Sequence, residues 1–474
     1  DAIGAYTHAL ELDPSDNVTM ANQGLALRDL ARLDESVALH EQALKCNPNT
    51  ASVRSSLIFT MQLRPQTTQA QIVEQQQEWN RRHVDTVAAK RTPHANDRSP
   101  GRRLKIGYVS ADLRLHPVGR FMLPLLKNHD RCEVEIFIYS CVRNPDSSTE
   151  ILKSSADHWR HVTSTGDDEL AALIRADAID VLVDLSNHTI DNRMLLFALK
   201  PAPVQITYLA YCADTGLRTM DWRLTDPHID PQSGKEARAG LSTHAPAPVQ
   251  PLFEKPLRLA ETYWCYEGHE HAGDAGPLPA LANGYITFGS FNYFSKCNDE
   301  ILHLWADLLA SMPDSHFALH VPSGSREAYV RRLFESHGIL ASRLIFFPRT
   351  KEKDYFQRYR EMDIALDPFP WSGGTTTCDA LYMGVPVITR TGEGPLSRGS
   401  ASILTNLGHA EWITRTPEKY LAKAREVAAD MPALAEVRAQ LRAQMQASVV
   451  MDAPRFARNM EAAYRQAWSI WCQS

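Results

Sequence analysis

From residue 104 onward the sequence alternates short apolar runs with amphipathic segments, and it does so twice; no other feature constrains the fold as much. The first series places strands at 104–110, 133–139, 179–185 and 204–209, with a helix from about Gly119 and another over 167–175. The second places strands at 286–291, 316–321, 343–347, 364–366 and 385–389, separated by helices at 300–312, 325–337, 353–362 and 377–383. Strands joined through helices pair in parallel, because each crossover returns to the same end of the sheet. Two doubly wound parallel sheets are therefore expected. A chain of 474 residues also exceeds the usual domain size of ~150 residues about threefold, which calls for more than one core.

The segment ahead of the first strand has a different period. Ala9-Leu10 with Pro14 recurs as Ala43-Leu44 with Pro48, and Tyr6 is answered by His40, each at an offset of 34 residues. Ala21 and Gly24 provide small side chains where two helices meet. This spacing resembles the tetratricopeptide repeat. Two units cannot bury their faces alone, so either further repeats precede Asp1 or the array leans on the segment C-terminal to it. The pattern stays helical over 51–87, and the basic stretch 88–103 with Pro93 and Pro100 reads as a connector. The expected division is 1–100 for repeats and helical connector, 101–240 for an N-terminal Rossmann-like domain, 241–282 for a Pro-, Gly-, Ala- and His-rich inter-domain segment, and 283–474 for a C-terminal Rossmann-like domain with closing helices.

Hydrophobic residues at 44% and charged residues at 22% exclude a disordered or collagenous chain. A net charge of −6 gives no global field for nucleic acid or an anionic membrane, so neither is expected as a partner. The eight cysteines form no Cys-x-x-Cys pair, and with no apolar run near 18 residues and no leader pattern a reducing cytoplasm is the expected location. There is no Asp-x-Asp and no His-Glu-x-x-His, and His269-x-His271 and His158-x-x-His161 stand alone, so no metal is expected.

Chemistry concentrates where strands end. Segment 367–379 reads Asp-Pro-Phe-Pro-Trp-Ser-Gly-Gly-Thr-Thr-Thr-Cys-Asp: it leaves a strand, turns through Gly373-Gly374 and enters a helix. The N–H groups and positive dipole end of such a helix attract anions, with Thr375–377 adding hydroxyl donors and Asp379 one turn on. A threonine before a helix is also simply a good N-cap, so the pattern alone leaves both readings open. Lys296 follows the strand at 286–291 and points to the same sheet edge; a leaving phosphate needs such a cation, or a metal, to neutralise it. In the first series His116 follows the strand at 104–110, and Asp184 and His188 follow that at 179–185. A histidine or carboxylate there suits activation of a hydroxyl, although with eighteen histidines the position alone singles out none.

Taken in order, Tyr108-Val-Ser-Ala-Asp with His116-Pro117, Val183-Asp-Leu-Ser-Asn-His188, Pro201-Ala-Pro-Val-Gln205, Phe288-Gly-Ser-Phe-Asn292 with Lys296, and Gly374-Thr-Thr-Thr-Cys-Asp379 resemble the protein O-GlcNAc transferase family, glycosyltransferase family 41, and its bacterial members in particular. The resemblance implies an N-terminal all-α part followed by two facing Rossmann-like domains (GT-B), the first on the acceptor side and the second for the nucleotide sugar. It implies inverting, metal-independent transfer of N-acetylglucosamine from UDP-GlcNAc to Ser or Thr of proteins, without a cofactor, with acceptor proteins or peptides engaged through the repeats. His116 matches the family's histidine near the acceptor, as base or positioner, with Asp184, His188 or the donor phosphate as other proton acceptors. Lys296 matches the lysine on the UDP phosphates; Asn292, Gly374, Thr375, Thr376 and Asp379 match the nucleotide contacts, as do Arg349, Thr350 and Arg358 around the base and nucleoside. Tyr293, Tyr355, Gly374 and Trp371 depart from the animal enzyme, as does 210–215, and the Phe288-Gly-Ser-Phe-Asn292 and Thr-run choices resemble the SPINDLY branch, which implies GDP-fucose as an alternative donor. A non-catalytic repeat scaffold is the third reading.

Overall fold

The computed structural model describes residues 2–231, 253–348 and 352–474, so Arg349 and Thr350 lie outside the described residues. The chain forms two compact units, one of Asp1–Gln42, Thr60–Gln66 and Gly268–Ser448, the other of Ala43–Phe59, Thr67–Glu267 and Val449–Ser474.

The second of these units is built on a seven-stranded parallel sheet: β1 (Leu104–Ser110), β2 (Val134–Ser140), β3 (His158–His161), β4 (Val181–Asp184), β5 (Val204–Thr207), β6 (Trp222–Thr225) and β7 (Lys255–Arg258), in the order β3-β2-β1-β4-β5-β6-β7. Central strands β1 and β4 are buried almost throughout, as two-face coverage requires of an apolar run. The order reverses between β1 and β4, so their carboxyl ends frame a crevice. Strands β3 and β7 are edges that the apolar pattern does not reveal. β3 is His-Trp-Arg-His and only half buried, and β7 falls in the stretch read as inter-domain. Pro256 is tolerated in β7 because Lys255 and Leu259 donate to β6 at 3.0 and 2.8 Å, while the proline, missing its N–H, faces the open side.

The other unit holds a six-stranded parallel sheet of β8 (Thr287–Ser290), β9 (His316–His320), β10 (Leu344–Phe347), β11 (Ile364–Leu366), β12 (Val387–Arg390) and β13 (Ile413–Thr414), ordered β10-β9-β8-β11-β12-β13. Its switch point lies between β8 and β11. The helix-rich N-terminal region followed by two Rossmann-like sheets is the architecture the alternation predicts.

The helices Ala2–Leu12 and Asn17–Asp29 form a hairpin that is echoed by Leu33–Cys46 and Ala51–Leu63, at the repeat offset. Asp16 caps the second helix by accepting from Val18 and Thr19 N–H. A Cβ on Gly24 would sit 2.9 Å from the His40 ring, which explains the small residue at that crossing. The tail is three helices, Pro417–Ala429, Met431–Ala447 and Ala453–Cys472, with Asp430 and Asp452 each capping a new start. The last of these corrects the grouping of 283–474: it belongs to the unit of the first sheet, where the Tyr464 and Tyr108 hydroxyls meet at 2.9 Å.

Candidate active site

At the second switch point the chain leaves β8 through Asn292, makes the 3-10 turn Phe294–Lys296, and caps the helix Asp299–Ala310 with Asn298. It leaves β11 through Asp367 and enters the helix Thr375–Tyr382. These two exits are joined by side chains. Lys296 Nζ donates to the Ser372 carbonyl at 2.8 Å and lies 5.3 Å from the Trp371 ring centre. Asn298 donates to Phe369 O at 2.7 Å, and Thr376 Oγ1 donates to Asn292 Oδ1 at 2.9 Å. Sequence-predicted Asn292, Lys296, Gly374, Thr375 and Thr376 thus share one edge of one sheet.

The loop between β11 and its helix is held by Asp367, to which the sequence reading gave no role. Its carboxylate is buried and accepts from Gly373 N–H and from Thr389 Oγ1, both at 2.7 Å, while its carbonyl accepts from the Tyr420 hydroxyl at 3.0 Å. Burial pushes this carboxyl above the usual range, against the hydrogen bonds and the positive charge of Lys296. A Cβ on Gly373 would meet Thr377 Oγ1 at 2.3 Å and Asp367 Oδ1 at 2.8 Å, so only glycine lets the loop close this tightly. A carboxylate at a strand end before a Gly-Gly pair is the signal that would have found it.

At the helix start Gly374 is the N-cap and, as glycine, brings no side chain to accept from the first-turn N–H groups. These donors and the positive end of the helix dipole follow closely on Ser372, whose carbonyl holds Lys296, an arrangement suited to the oxygens of an anionic group. Asp379 is buried and accepts from the Tyr355 hydroxyl at 3.1 Å; that hydroxyl in turn lies 2.7 Å from the Tyr359 hydroxyl. Arg358 pairs with Glu361 at 2.9 Å, its guanidinium 4.4 Å from the Phe347 ring centre.

The first-sheet candidates are placed differently. His116 caps the helix Pro117–Asn128: its Nδ1 accepts the Val118 N–H at 3.3 Å, and Pro117 fills the next position, so the helix starts two residues before the expected Gly119. Gly119 itself is required because a Cβ there would lie 2.2 Å from Arg114 O. With Nδ1 accepting, the neutral ring carries its hydrogen on Nε2 and donates there. Acting as a base from Nε2 requires the other tautomer, with Nδ1 turned to Asp112 Oδ1, now 3.8 Å away. Asp184 is buried and accepts from Ser186 and Asn187 N–H at 3.0 and 2.9 Å and from Thr207 Oγ1 at 2.9 Å; burial raises it to about 6. His188 is buried with Nε2 donating to Thr215 O at 2.7 Å and Nδ1 2.9 Å from Ser55 Oγ, and burial lowers it to about 4. Asp184 and His188 thus have their polar atoms engaged by neighbouring groups of the protein, which places both in the framework of the β4 turn.

Comparison with known proteins supplies the remaining findings. The family model described as "Glycosyl transferase family 41" matches residues 48–239 and 278–460. A rice protein (Oryza sativa subsp. japonica) named "Probable UDP-N-acetylglucosamine--peptide N-acetylglucosaminyltransferase SPINDLY" is 32% identical over 92% of this chain and 46% of its own length. A Caenorhabditis elegans UDP-N-acetylglucosamine–peptide N-acetylglucosaminyltransferase is 24% identical over 81% of this chain and 43% of its own length. The chain thus spans about half the length of the curated relatives it matches. Among solved structures, a mutant of the Thermobaculum terrenum O-GlcNAc transferase superposes with a TM-score of 0.90 at 32% identity, covering 99% of this chain and 88% of that one.

Proposed function

The chain belongs to glycosyl transferase family 41, and on that premise we propose that it transfers N-acetylglucosamine from UDP-GlcNAc to serine or threonine hydroxyls of proteins, with inversion and without a metal or cofactor. The observation that carries this reading is the Lys296 ammonium held on Ser372 O at the switch point, beside the start of the Thr375–Tyr382 helix. Cleaving a sugar from a nucleoside diphosphate puts charge on the departing phosphate, and a preorganised cation with aligned N–H groups neutralises it where it forms. In this reading Lys296, Thr375 and Thr376 hold the diphosphate, Gly374 lets it approach the backbone, and Asp379, Asn292 and Arg358 serve the nucleoside. His116 serves the acceptor hydroxyl; donating from Nε2, it orients that hydroxyl instead of taking its proton, and the donor phosphate becomes the proton acceptor. Asp184 and His188 hold the β4 turn. Acceptor proteins meet the helical repeats, in the cytoplasm.

The test is nucleotide stabilisation in EDTA followed by turnover. UDP is expected to raise the melting temperature, Lys296→Met to cut UDP-GlcNAc turnover by about 10²–10³-fold, and His116→Ala to slow it. An unchanged rate in Lys296→Met would end the proposal, and an unchanged rate in His116→Ala would remove only the acceptor assignment. A second reading, a GDP-fucose donor on the same scaffold, rests on the resemblance of Phe288-Gly-Ser-Phe-Asn292 and the Thr375–377 run to the SPINDLY branch. Stabilisation by GDP and not by UDP would select it.

A further inference from the structure

A cavity of about 420 Å³ lies within the unit of the second sheet, between the repeat turns at 30–35 and 64–66 and the starts of the helices Asp299–Ala310 and Ser325–Ser336. That volume falls in the ~300–1,000 Å³ range of ligand sites. Among the described residues its lining carries four arginines and four carboxylates, yet the charges do not cancel in pairs. Glu35 holds Arg32 at 2.6 Å, Asp34 holds Arg64, and Asp299 holds Arg326 at 2.7 Å. Glu300 takes its partner from outside the lining, Arg390 at 3.4 Å, so Arg332 is left over. Arg332 is exposed and forms no ion pair among the described residues.

Arg326 also has donors to spare. It is 6% exposed and donates from Nη2 to Asp299, while its Nε is buried with no hydrogen-bond partner. A buried guanidinium that is only partly paired costs free energy, so an anion approaching its remaining donors stabilises it. The Tyr329 ring centre lies 4.2 Å from Cζ and that of Phe294 5.5 Å away, which holds the guanidinium in place. Phe294 opens the turn that ends in Lys296, so the cavity adjoins the edge proposed to hold the diphosphate. Gly324 is the N-cap of the helix Ser325–Ser336 and brings no side chain to its first-turn N–H groups; Ser325 and Arg326, the first residues of that helix, line the cavity. The positive dipole end of the helix thus adds to the two arginines.

We propose that this cavity is a subsite for an aspartate or glutamate side chain of the acceptor polypeptide, held by Arg326, Arg332 and the start of the Ser325–Ser336 helix. The inference rests on the proposed transferase reading and names the acceptor class which that reading leaves open, hydroxyls a few residues from an acidic side chain. The position of the cavity argues for a polypeptide and against a free ion. One wall is made by the repeat turns and another by Asn298–Glu300, just after the Lys296 turn, so a segment led from the repeats toward Lys296 has the cavity on its way.

The test uses peptides with one serine in a neutral sequence, in which a single glutamate is moved stepwise along the chain and compared with glutamine at the same place. At one position or two adjacent ones, glutamate is expected to raise kcat/KM at saturating UDP-GlcNAc about tenfold over glutamine, the worth of one charge-assisted hydrogen bond. Binding of the labelled peptides, read by fluorescence anisotropy, is expected to differ by a similar factor. Arg332→Glu, at an exposed site, and Arg326→Lys, which keeps a charge for Asp299 but gives up the planar fork, are each expected to bring that ratio to within about twofold of unity. The ratio is internal to each variant, so a loss of stability felt by both peptides leaves it unmoved. Equal rates and equal binding for glutamate and glutamine at every position would overturn the proposal, as would a preference that survives both substitutions. Stabilisation by inorganic phosphate that is lost in both variants, with no glutamate preference, would make the cavity a free-anion site and overturn it too. A protein that binds neither UDP nor GDP and modifies no peptide removes the transferase reading itself; normal nucleotide binding and turnover without a glutamate preference removes only this inference.

Discussion

Following β4 of the first sheet, Asp184 accepts three hydrogen bonds and His188 has a partner at each ring nitrogen; following β8 of the second, Lys296 rests its ammonium on a neutral carbonyl beside a helix start with no side-chain cap. Both sheets reverse their strand order at these points, so topology alone would rate the two edges equally. The difference lies in how their polar groups are satisfied. Buried donors and acceptors paired within the protein specify a turn, whereas the Lys296 ammonium lies close to a helix start, where an anionic ligand would meet both.

The largest expected effect falls on the second edge. Lys296→Met should cut kcat by about 10²–10³-fold, as for loss of one oxyanion donor, while the melting temperature shifts little. An equal loss on replacing His188 by a residue that preserves folding would erase the contrast. Next comes the pH response of the first edge. His188 is lowered to about 4, so it contributes stability above its unfolded value near 6.5 that is lost as pH falls through 4, on the order of 3 kcal/mol. Asp184, raised to about 6, works in the opposite sense: its contribution is full below the unfolded value of 3.8 and is lost as pH rises through 6. Between pH 6.5 and 4 the two oppose each other, so Asp184→Asn should make the acid decline of the melting temperature steeper than in the unaltered protein. A parallel decline would mean that these groups titrate normally.

A smaller effect is expected from Gly373→Ala, whose added methyl collides with Thr377 and Asp367. It should weaken UDP binding about tenfold and cost about 1–3 kcal/mol of stability, read by calorimetry and thermal melting. The smallest is Tyr355→Phe, which removes the hydroxyl that donates to Asp379 and should weaken UDP binding about two- to fivefold. Stronger binding in that variant would mean that the tyrosine competes for Asp379 instead of orienting it.

Legibility in the sequence divides along the same line. Central strands announced themselves as apolar runs, and their order results from right-handed crossovers, which is why Lys296 and Thr375 could be assigned to one sheet edge. Strands β3, β6 and β7, at or next to the sheet edges, did not: His158-Trp-Arg-His161, Trp222-Arg-Leu-Thr225 and the proline-bearing Lys255–Arg258 carry no apolar run, since an edge covers less of itself. The helix after β1 begins at Pro117 because His116 caps it, a role that residue type alone did not suggest. The partners of His188 are Ser55 and Thr215, and pairings so distant along the chain leave no local pattern. The partners of Asp184 and His188 were not legible in the sequence, because a strand end offers the same residues whether the fold satisfies them or leaves them for a ligand.

The most direct test of the central claim is a crystal structure of the protein grown with UDP in the presence of EDTA. The account predicts the diphosphate within hydrogen-bonding distance of Lys296 Nζ and the Thr375–Thr376 hydroxyls, with the ribose toward Asp379. Nucleotide seated at any other edge of either sheet would contradict it.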